Sequence, residues 1–178
     1  MRRTRLSAVL VVAAAALAGC AGAGSRSMPA CRADERLAIV AQSVPAAAYV
    51  PCIKELPTGW SFTGLDVDDH GATITLASDR ADRDVDVTLT ATCTTRDATP
   101  IAPRDEGVRT YQLVESIDPR YAGRVIDVFP GGCVVSSYDF QRGPHVGLIT
   151  DLLRAVDLYS RRQLRQELHA RFDITLDP

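Results

Sequence analysis

The chain has 178 residues, a formal net charge of −2 and five cysteines, and apolar residues make up 46% of it. Together with 24% charged residues, this balance excludes a wholly disordered, collagen-like or coiled-coil chain and fits one domain. The near-neutral charge argues against a nucleic-acid binder, which would usually be basic. The odd cysteine count needs an explanation, because disulfides use cysteines in pairs.

The first nineteen residues have the composition of an export signal. Three arginines lie among the first five residues, and residues 6–18 are apolar except for Ser7. A helix of this length rises only about 20 Å, which is well short of the roughly 30 Å hydrocarbon core of a bilayer. We therefore predict a signal peptide at residues 1–19 and no permanent transmembrane helix. Its removal changes the net charge from −2 to −5, because it carries three arginines and no acid.

The end of the signal, Leu17-Ala18-Gly19-Cys20, resembles the lipobox of bacterial lipoproteins. The resemblance implies that the chain is cut before Cys20 and that a diacylglycerol is joined to its thiol, so that the mature protein incorporates labelled palmitate. Residues 20–30 are mostly small and would tether the fold to the outer face of the cytoplasmic membrane. The alternative is cleavage after Ala16-Leu17-Ala18, an Ala-x-Ala site that would release a secreted protein.

Without Cys20, four cysteines remain, and an exported chain meets an oxidising compartment in which thiols pair. Of the three ways to pair them, we favour Cys31–Cys52 as a local staple and Cys93–Cys133 as a link between two expected strands. On the loop-entropy model these bonds close about 22 and 41 residues and are worth at most roughly 3.4 and 3.9 kcal/mol. We expect no metal site, because the sequence has no C-x2-C pair and its three histidines are scattered.

The first part of the fold mixes helical and extended patterns. Residues 34–54 predict one or two short helical turns, which two prolines interrupt. From Trp60 the apolar period becomes two, and Gly64 lies where the apolar parity changes, which predicts a strand with a bulge. Residues 68–71 predict a hairpin turn into a strand at residues 73–77.

The clearest strand covers residues 84–94, where apolar and polar residues alternate strictly and Cys93 falls on the inner face. Residues 95–107 contain two prolines and no periodicity, which indicates a loop. Further strands are expected at residues 108–117, 124–129 and 133–140.

The last part of the chain has a helical period. Apolar residues form a stripe from Val146 to Leu168, which predicts one long helix, or two if the chain breaks near Ser160. Residues 174–176 are expected to add a short strand. The predicted fold class is therefore α+β: an antiparallel sheet of five or six strands with a long C-terminal helix packed on one face, all within one domain at residues 31–178.

Two segments resemble those of an uncharacterised family of secreted proteins and lipoproteins in actinobacteria. They are PCIKELPTGW at residues 51–60 and FPGGCV at residues 129–134. The resemblance extends over most of residues 31–178 and implies a protein of the cell envelope. It implies no activity and no catalytic residue.

The sequence offers no catalytic motif. His70, His145 and His169 could each act as a base, but the sequence contains neither G-x-S-x-G nor S-x-x-K, the motifs of two classes of serine enzyme. The acidic clusters at residues 66–69 and 79–84 do not match a calcium-binding loop, and turn chemistry explains them. We therefore expect no catalytic residue, no cofactor and no metal ligand.

Four arginines give the expected C-terminal helix a basic side: Arg161, Arg162, Arg165 and Arg171. Such a side could rest on anionic lipid headgroups, but a solvated helix face is the interpretation that we favour. The sequence thus predicts a lipid-anchored binding module at the cell membrane, with another envelope protein or a wall polymer as its partner. The alternatives are an envelope-acting hydrolase, a released secreted protein and a structural spacer.

Overall fold

The structure, a computed structural model, describes residues 27–141 and 145–177. The expected signal peptide at residues 1–19, Cys20 and the first part of the tether lie outside the described residues. Within them the chain forms three helices and nine strands. In order these are α1 (Glu35–Ser43), β1 (Tyr49–Ile53), β2 (Trp60–Asp68), β3 (Gly71–Ser78), β4 (Val85–Thr90), β5 (Thr99–Ile101), β6 (Arg109–Ser116), β7 (Tyr121–Phe129), β8 (Gly132–Phe140), α2 (His145–Ala155), β9 (Val156–Ser160) and α3 (Arg161–Phe172).

Seven of the strands form one antiparallel sheet in the order β2-β3-β4-β8-β7-β6-β5, and β1 pairs with β9 in a separate antiparallel pair. The class is α+β, as predicted, but the expected count of five or six strands is wrong. β5 lies inside the segment that was expected to be a loop, and β1 inside one expected to be helical. Pro51 is accommodated in β1 because a two-stranded ribbon needs only one row of N–H donors from each strand.

Of the two C-terminal alternatives, the single long helix is wrong, and the chain forms two helices with the break at residues 156–160. The helical stripe includes Val156 and Tyr159, yet both lie in β9, which separates α2 from α3. Residues 156–160 carry both patterns, since buried Val156 and Leu158 also alternate with more exposed neighbours. Residues 156–160 form a strand rather than a helix because they pair with β1. The expected strand at residues 174–176 does not form.

Within the large sheet, several local predictions are confirmed. A register shift lies between Phe62 and Gly64, where the bulge was expected. The β2–β3 turn is fixed by the carboxylate of Asp68, which accepts hydrogen bonds from the backbone N–H groups of His70 and Gly71 at 2.8 and 3.0 Å. β4 is shorter than predicted, because it ends at Thr90.

One apolar core joins the three helices to both sheets. It includes fully buried side chains from all three helices and from strands of both sheets: Leu37, Val40, Ile53, Ile74, Leu76, Leu89, Phe140, Leu148, Leu152, Leu164 and Leu168. Their apolar surface, at about 25 cal/mol per Å² removed from water, is the main stabilising contribution to such a fold. The helices are therefore held by packing rather than by their own propensity.

Both disulfides have the pairing favoured from the sequence. Cys31 is bonded to Cys52 in β1, with an S–S distance of 2.07 Å. Cys93 is bonded to Cys133 in β8, with an S–S distance of 2.25 Å. Cys93 lies three residues beyond the end of β4 and is half-buried, so it does not lie on the inner face of that strand as expected.

Candidate functional site

A surface cavity of about 580 Å³ opens where the first turn of α3 meets the segment that precedes β1. Its lining residues are Pro45, Ala46, Ala47, Ala48, Tyr49, Ser160, Arg161, Arg162 and Arg165. We name it the arginine pocket, because three of these residues are arginines and none is acidic. This excess of positive charge is local, since acidic residues outnumber basic ones in the whole chain.

The wall opposite α3 is a backbone segment that is held from two sides. The N–H group of Ala48 donates to Pro130 in the β7–β8 turn, and its carbonyl accepts from the N–H group of Arg161, both at 2.9 Å. Gly131 presses against the same segment: its φ is +77°, and a Cβ atom there would lie 1.7 Å from the carbonyl oxygen of Ala46. The wall is therefore preorganised by contacts that do not involve a ligand.

Tyr49 forms the edge of this wall, and its ring is fixed in place. The hydroxyl group donates a hydrogen bond to the carbonyl of Glu106 at 2.7 Å. The ring meets Phe129 edge-on, with a centroid distance of 5.4 Å. This geometry presents a half-buried aromatic surface beside the arginines.

Arg161 lines the pocket and is only 5% exposed. Its guanidinium donates to the backbone carbonyls of Ala41, at the end of α1, and of Asp177. In the described residues it has no ion pair within 4 Å, and its Nε has no hydrogen-bond partner. Burial lowers the pKa of Arg161, and the neighbouring charge of Arg165 lowers it further, whereas Asp177 raises it.

Arg162 and Arg165 differ from the other arginines of the predicted basic side. They are three residues apart, so they share one face of α3, and both are exposed. Neither guanidinium has an ion pair or a hydrogen bond in the described part of the chain. Arg171, by contrast, lies 3.8 Å from the carboxylate of Glu167. The basic side thus divides into one buried, one paired and two unpaired arginines.

The N-terminal end of α3, which borders the arginine pocket, carries the positive end of the helix dipole. Its N-cap residue, Ser160, makes no side-chain capping hydrogen bond. The N–H groups of Arg162 and Gln163 therefore lack the acceptor that a cap would supply. The start of α3 and the side chains of Arg162 and Arg165 border one open space, which is an arrangement suited to an anion.

The residues considered for catalysis are not brought together. His70 lies exposed in the β2–β3 turn, and His169 lies on α3 with an imidazole that is 67% exposed. His145 begins α2. Within residues 27–141 and 145–177 no three His, Cys, Asp or Glu residues form a cluster that could hold a metal ion. Cys20 lies outside the described residues.

Two other cavities are less suited to a charged ligand. One, of about 410 Å³ on the large sheet, has acids and arginines that neutralise each other: Asp139 pairs with Arg83 and Arg120, and Glu115 pairs with Arg124. The other is an open groove of about 470 Å³ beside α1. Its lining is mainly apolar and includes Ala38, Ile39, Val67, Ile174 and Leu176.

Comparisons of the chain with protein-family models, curated proteins and solved structures found no match. Among the described helices, none has the length and apolar character that crossing a bilayer requires. Sequence reasoning placed Arg161, Arg162 and Arg165 on one helix side but missed the opposite wall of the pocket. That wall is brought there by a contact between residues 48 and 161, for which the sequence carries no local signal.

Proposed function

We propose that the protein is a lipid-anchored binding module of the cell envelope, which holds an anionic ligand in the arginine pocket. The observation that carries this proposal is a cavity that is lined by three arginines at an uncapped helix end and has no acidic lining residue. Like charges at close range repel each other, and after burial the charge of Arg165 is the second cause that lowers the pKa of Arg161. A bound anion would relieve that repulsion.

The site has the features of a preorganised binding site rather than of a solvated helix face. Its wall is fixed by backbone hydrogen bonds and by Gly131, and its aromatic edge by Glu106 and Phe129. Groups held in place before binding lose little conformational freedom when a ligand arrives. The volume lies within the range of about 300–1,000 Å³ that is typical of small-molecule sites.

The lipid anchor is the second part of the proposal. The described chain begins at Ser27, whose hydroxyl accepts a hydrogen bond from Arg36 at 2.9 Å. Six residues separate Cys20 from Ser27, and the seven steps from one residue to the next span at most about 25 Å when the chain is fully extended. The anchor would therefore keep the fold, and with it the arginine pocket, close to the outer face of the cytoplasmic membrane.

The anchor is tested by growing cells with radiolabelled palmitate. We expect label on the wild-type protein and none on a Cys20→Ala variant, because the lipid is joined to that thiol. A matched Ser27→Ala variant should retain the label. An unlabelled wild type, or label that survives Cys20→Ala, would contradict the anchor and favour the released form.

Binding is tested in the native envelope with a photo-crosslinking amino acid in place of Ala46, which is exposed and lines the pocket. The matched control replaces Ala91, an exposed alanine beyond the end of β4. We expect a reproducible crosslinked product from position 46 only, and its loss when Arg162 and Arg165 are both changed to Gln. Equal capture at both positions, or no capture at either, would contradict the proposal.

A further inference from the structure

The arginine pocket carries more positive charge than a single carboxylate ligand would need. One guanidinium fork is enough to hold a carboxylate with two hydrogen bonds. Here Arg162 and Arg165, whose guanidinium groups have no partner among the described residues, accompany the first turn of α3. A phosphate group has more acceptor oxygens and carries up to two negative charges, and both arginine forks and helix N-termini recognise it well.

The buried arginine gives a second observation that is independent of the helix end. Arg161 lines the cavity, is 95% buried and leaves its Nε without a hydrogen-bond partner in the described residues. Its guanidinium donates to the backbone carbonyls of Ala41 and Asp177 and, at 3.5 Å, to the side-chain oxygen of Gln42, all of which are uncharged acceptors. The carboxylate of Asp177 acts on it electrostatically but forms no ion pair with it within 4 Å. Buried charges are normally paired, so an anion in the pocket would compensate a charge that the described residues leave without an ion pair.

The size of the cavity constrains what carries the phosphate. About 580 Å³ is far more than a small inorganic ion fills, and half of the lining is the apolar segment from Pro45 to Ala48 with Tyr49 beside it. This wall has no charged side chain. It is suited to an uncharged organic substituent, whose burial there would add apolar contact to the ionic contacts.

We infer that the arginine pocket binds an organic phosphate, with the phosphate group against the first turn of α3 between Arg162 and Arg165 and the organic part against the wall beside Tyr49. This inference rests on the proposed function and names its ligand class. Arg162 and Arg165 contact the ligand. Arg161 instead holds the start of α3 in place through its contacts with α1 and Asp177. The phosphate could be that of a soluble metabolite or that of an anionic lipid headgroup.

Glycerol 3-phosphate is the probe. Inorganic phosphate and glycerol, which represent its ionic and its organic part, are tested separately for comparison. Binding is measured by calorimetry on the purified mature protein, anchored in phosphatidylcholine vesicles. If the protein is the released form, it is measured in solution with the same vesicles added. We expect glycerol 3-phosphate to bind more tightly than either part alone. An Arg162→Gln/Arg165→Gln variant should lose at least about tenfold in affinity, because it loses charge-assisted hydrogen bonds.

An Arg96→Gln/Arg109→Gln variant is the matched control. It removes the same two charges from exposed arginines that lie outside the pocket, so its affinity should equal that of the wild type. All four arginines are exposed, and thermal unfolding of each variant checks that the fold is kept. An equal loss in both double variants would indicate a general charge effect and overturn the inference.

Adding phosphatidylglycerol to the vesicles distinguishes the two sources. A fall in the apparent affinity for glycerol 3-phosphate, in the wild type only, means that the lipid headgroup occupies the pocket. An unchanged affinity means that the ligand is soluble, and both results support an organic phosphate. Inorganic phosphate that binds as tightly as the probe, or no binding of any probe, would overturn it. If the crosslink from position 46 then yields a phosphate-free anion, the proposed function survives and only this inference fails.

Discussion

Asp127 in β7 is a buried carboxylate on the core face of the large sheet, where its side chain is only 1% exposed. Thr110 donates to it at 2.7 Å and Arg104 at 3.1 Å. Arg104 also donates to the backbone carbonyls of Leu153 and Val156, so one guanidinium links the sheet to the α2–β9 junction. Burial raises the pKa of Asp127, and the hydrogen bonds and charge of its partners only partly offset this effect.

The raised pKa of Asp127 predicts a particular pH dependence of stability. Because its folded-state pKa lies above the ordinary value of 3.8, this group favours folding most at low pH. That contribution is lost as the pH rises from about 4 through the raised folded-state pKa. The free energy of unfolding of the wild type, relative to that of Asp127→Asn, should therefore fall over this window. Urea titrations of both proteins across the range measure the difference, and a constant or rising difference contradicts the assignment.

A second test at this site removes the partner instead of the acid. Arg104→Met keeps much of the side-chain volume but leaves the charge of Asp127 buried and unpaired. Losing one member of a buried pair typically costs about 3–5 kcal/mol, and Arg104 is itself 17% exposed, so we expect the lower end. Urea denaturation gives the value. In the double variant Arg104→Met/Asp127→Asn much of the loss should be recovered, and no recovery would mean that the carbonyl contacts of Arg104 dominate.

At the scale of elements, the turn between β7 and β8 shows how one glycine positions the wall of the arginine pocket. Gly131 and Gly107 both have a positive φ, of +77° and +75°. A Cβ atom at Gly131 would collide with Ala46, whereas at Gly107 nothing lies within 4 Å. The two glycines therefore separate the cost of the backbone conformation from the cost of the contact.

We predict that Gly131→Ala destabilises the protein more than Gly107→Ala. Both changes force an L-residue into the left-handed region, which costs on the order of 1 kcal/mol. Only Gly131→Ala must also displace the segment at Ala46, and it should therefore weaken ligand binding in the pocket as well. Thermal unfolding and the calorimetric assay measure the two effects. Equal destabilisation by both variants would show that the turn does not support the wall.

The elements also show what the sequence can and cannot predict. Strict alternation located β4, and turn chemistry located the β2–β3 hairpin, because these signals are local. The strands β1 and β9 could not be predicted from the sequence. Each is five residues long, and each forms by pairing with the other, about a hundred residues away in the chain. The arginine pocket has the same origin. Its arginines are visible as the basic side of a helix, but the burial of Arg161 against Ala41 and Asp177 is not.

On the scale of the whole molecule, the two disulfides cross-link different parts of the fold. Cys31–Cys52 joins the start of the described chain to the β1–β9 pair, and Cys93–Cys133 joins the loop after β4 to the centre of the large sheet. Their sequence separations are 21 and 40 residues. The longer loop should lose more conformational entropy when it is closed, although the dependence on length is only logarithmic.

We predict that removing either disulfide by paired Cys→Ala changes lowers the free energy of unfolding. The upper limits on the loop-entropy model are roughly 3.4 kcal/mol for Cys31–Cys52 and 3.9 kcal/mol for Cys93–Cys133. Urea denaturation under oxidising conditions measures both, and dithiothreitol should destabilise the wild type but not a variant that lacks all four cysteines. Peptide mapping without reduction that finds Cys31 joined to Cys93 would contradict the pairing.

If the domain is anchored as proposed, the position of the Cys31–Cys52 bond decides how it responds to mechanical load. Any tension between membrane and cell wall would enter the fold along the tether, where Pro29 and Cys31 bond to the backbone of Ile53. From Cys31 the covalent route leads directly through the disulfide to Cys52, so residues 32–51 lie outside the load-bearing path. This bypassed stretch contains α1 and the wall of the arginine pocket. While the bond is intact, pulling on the anchor would strain β1 but leave the binding wall unstretched.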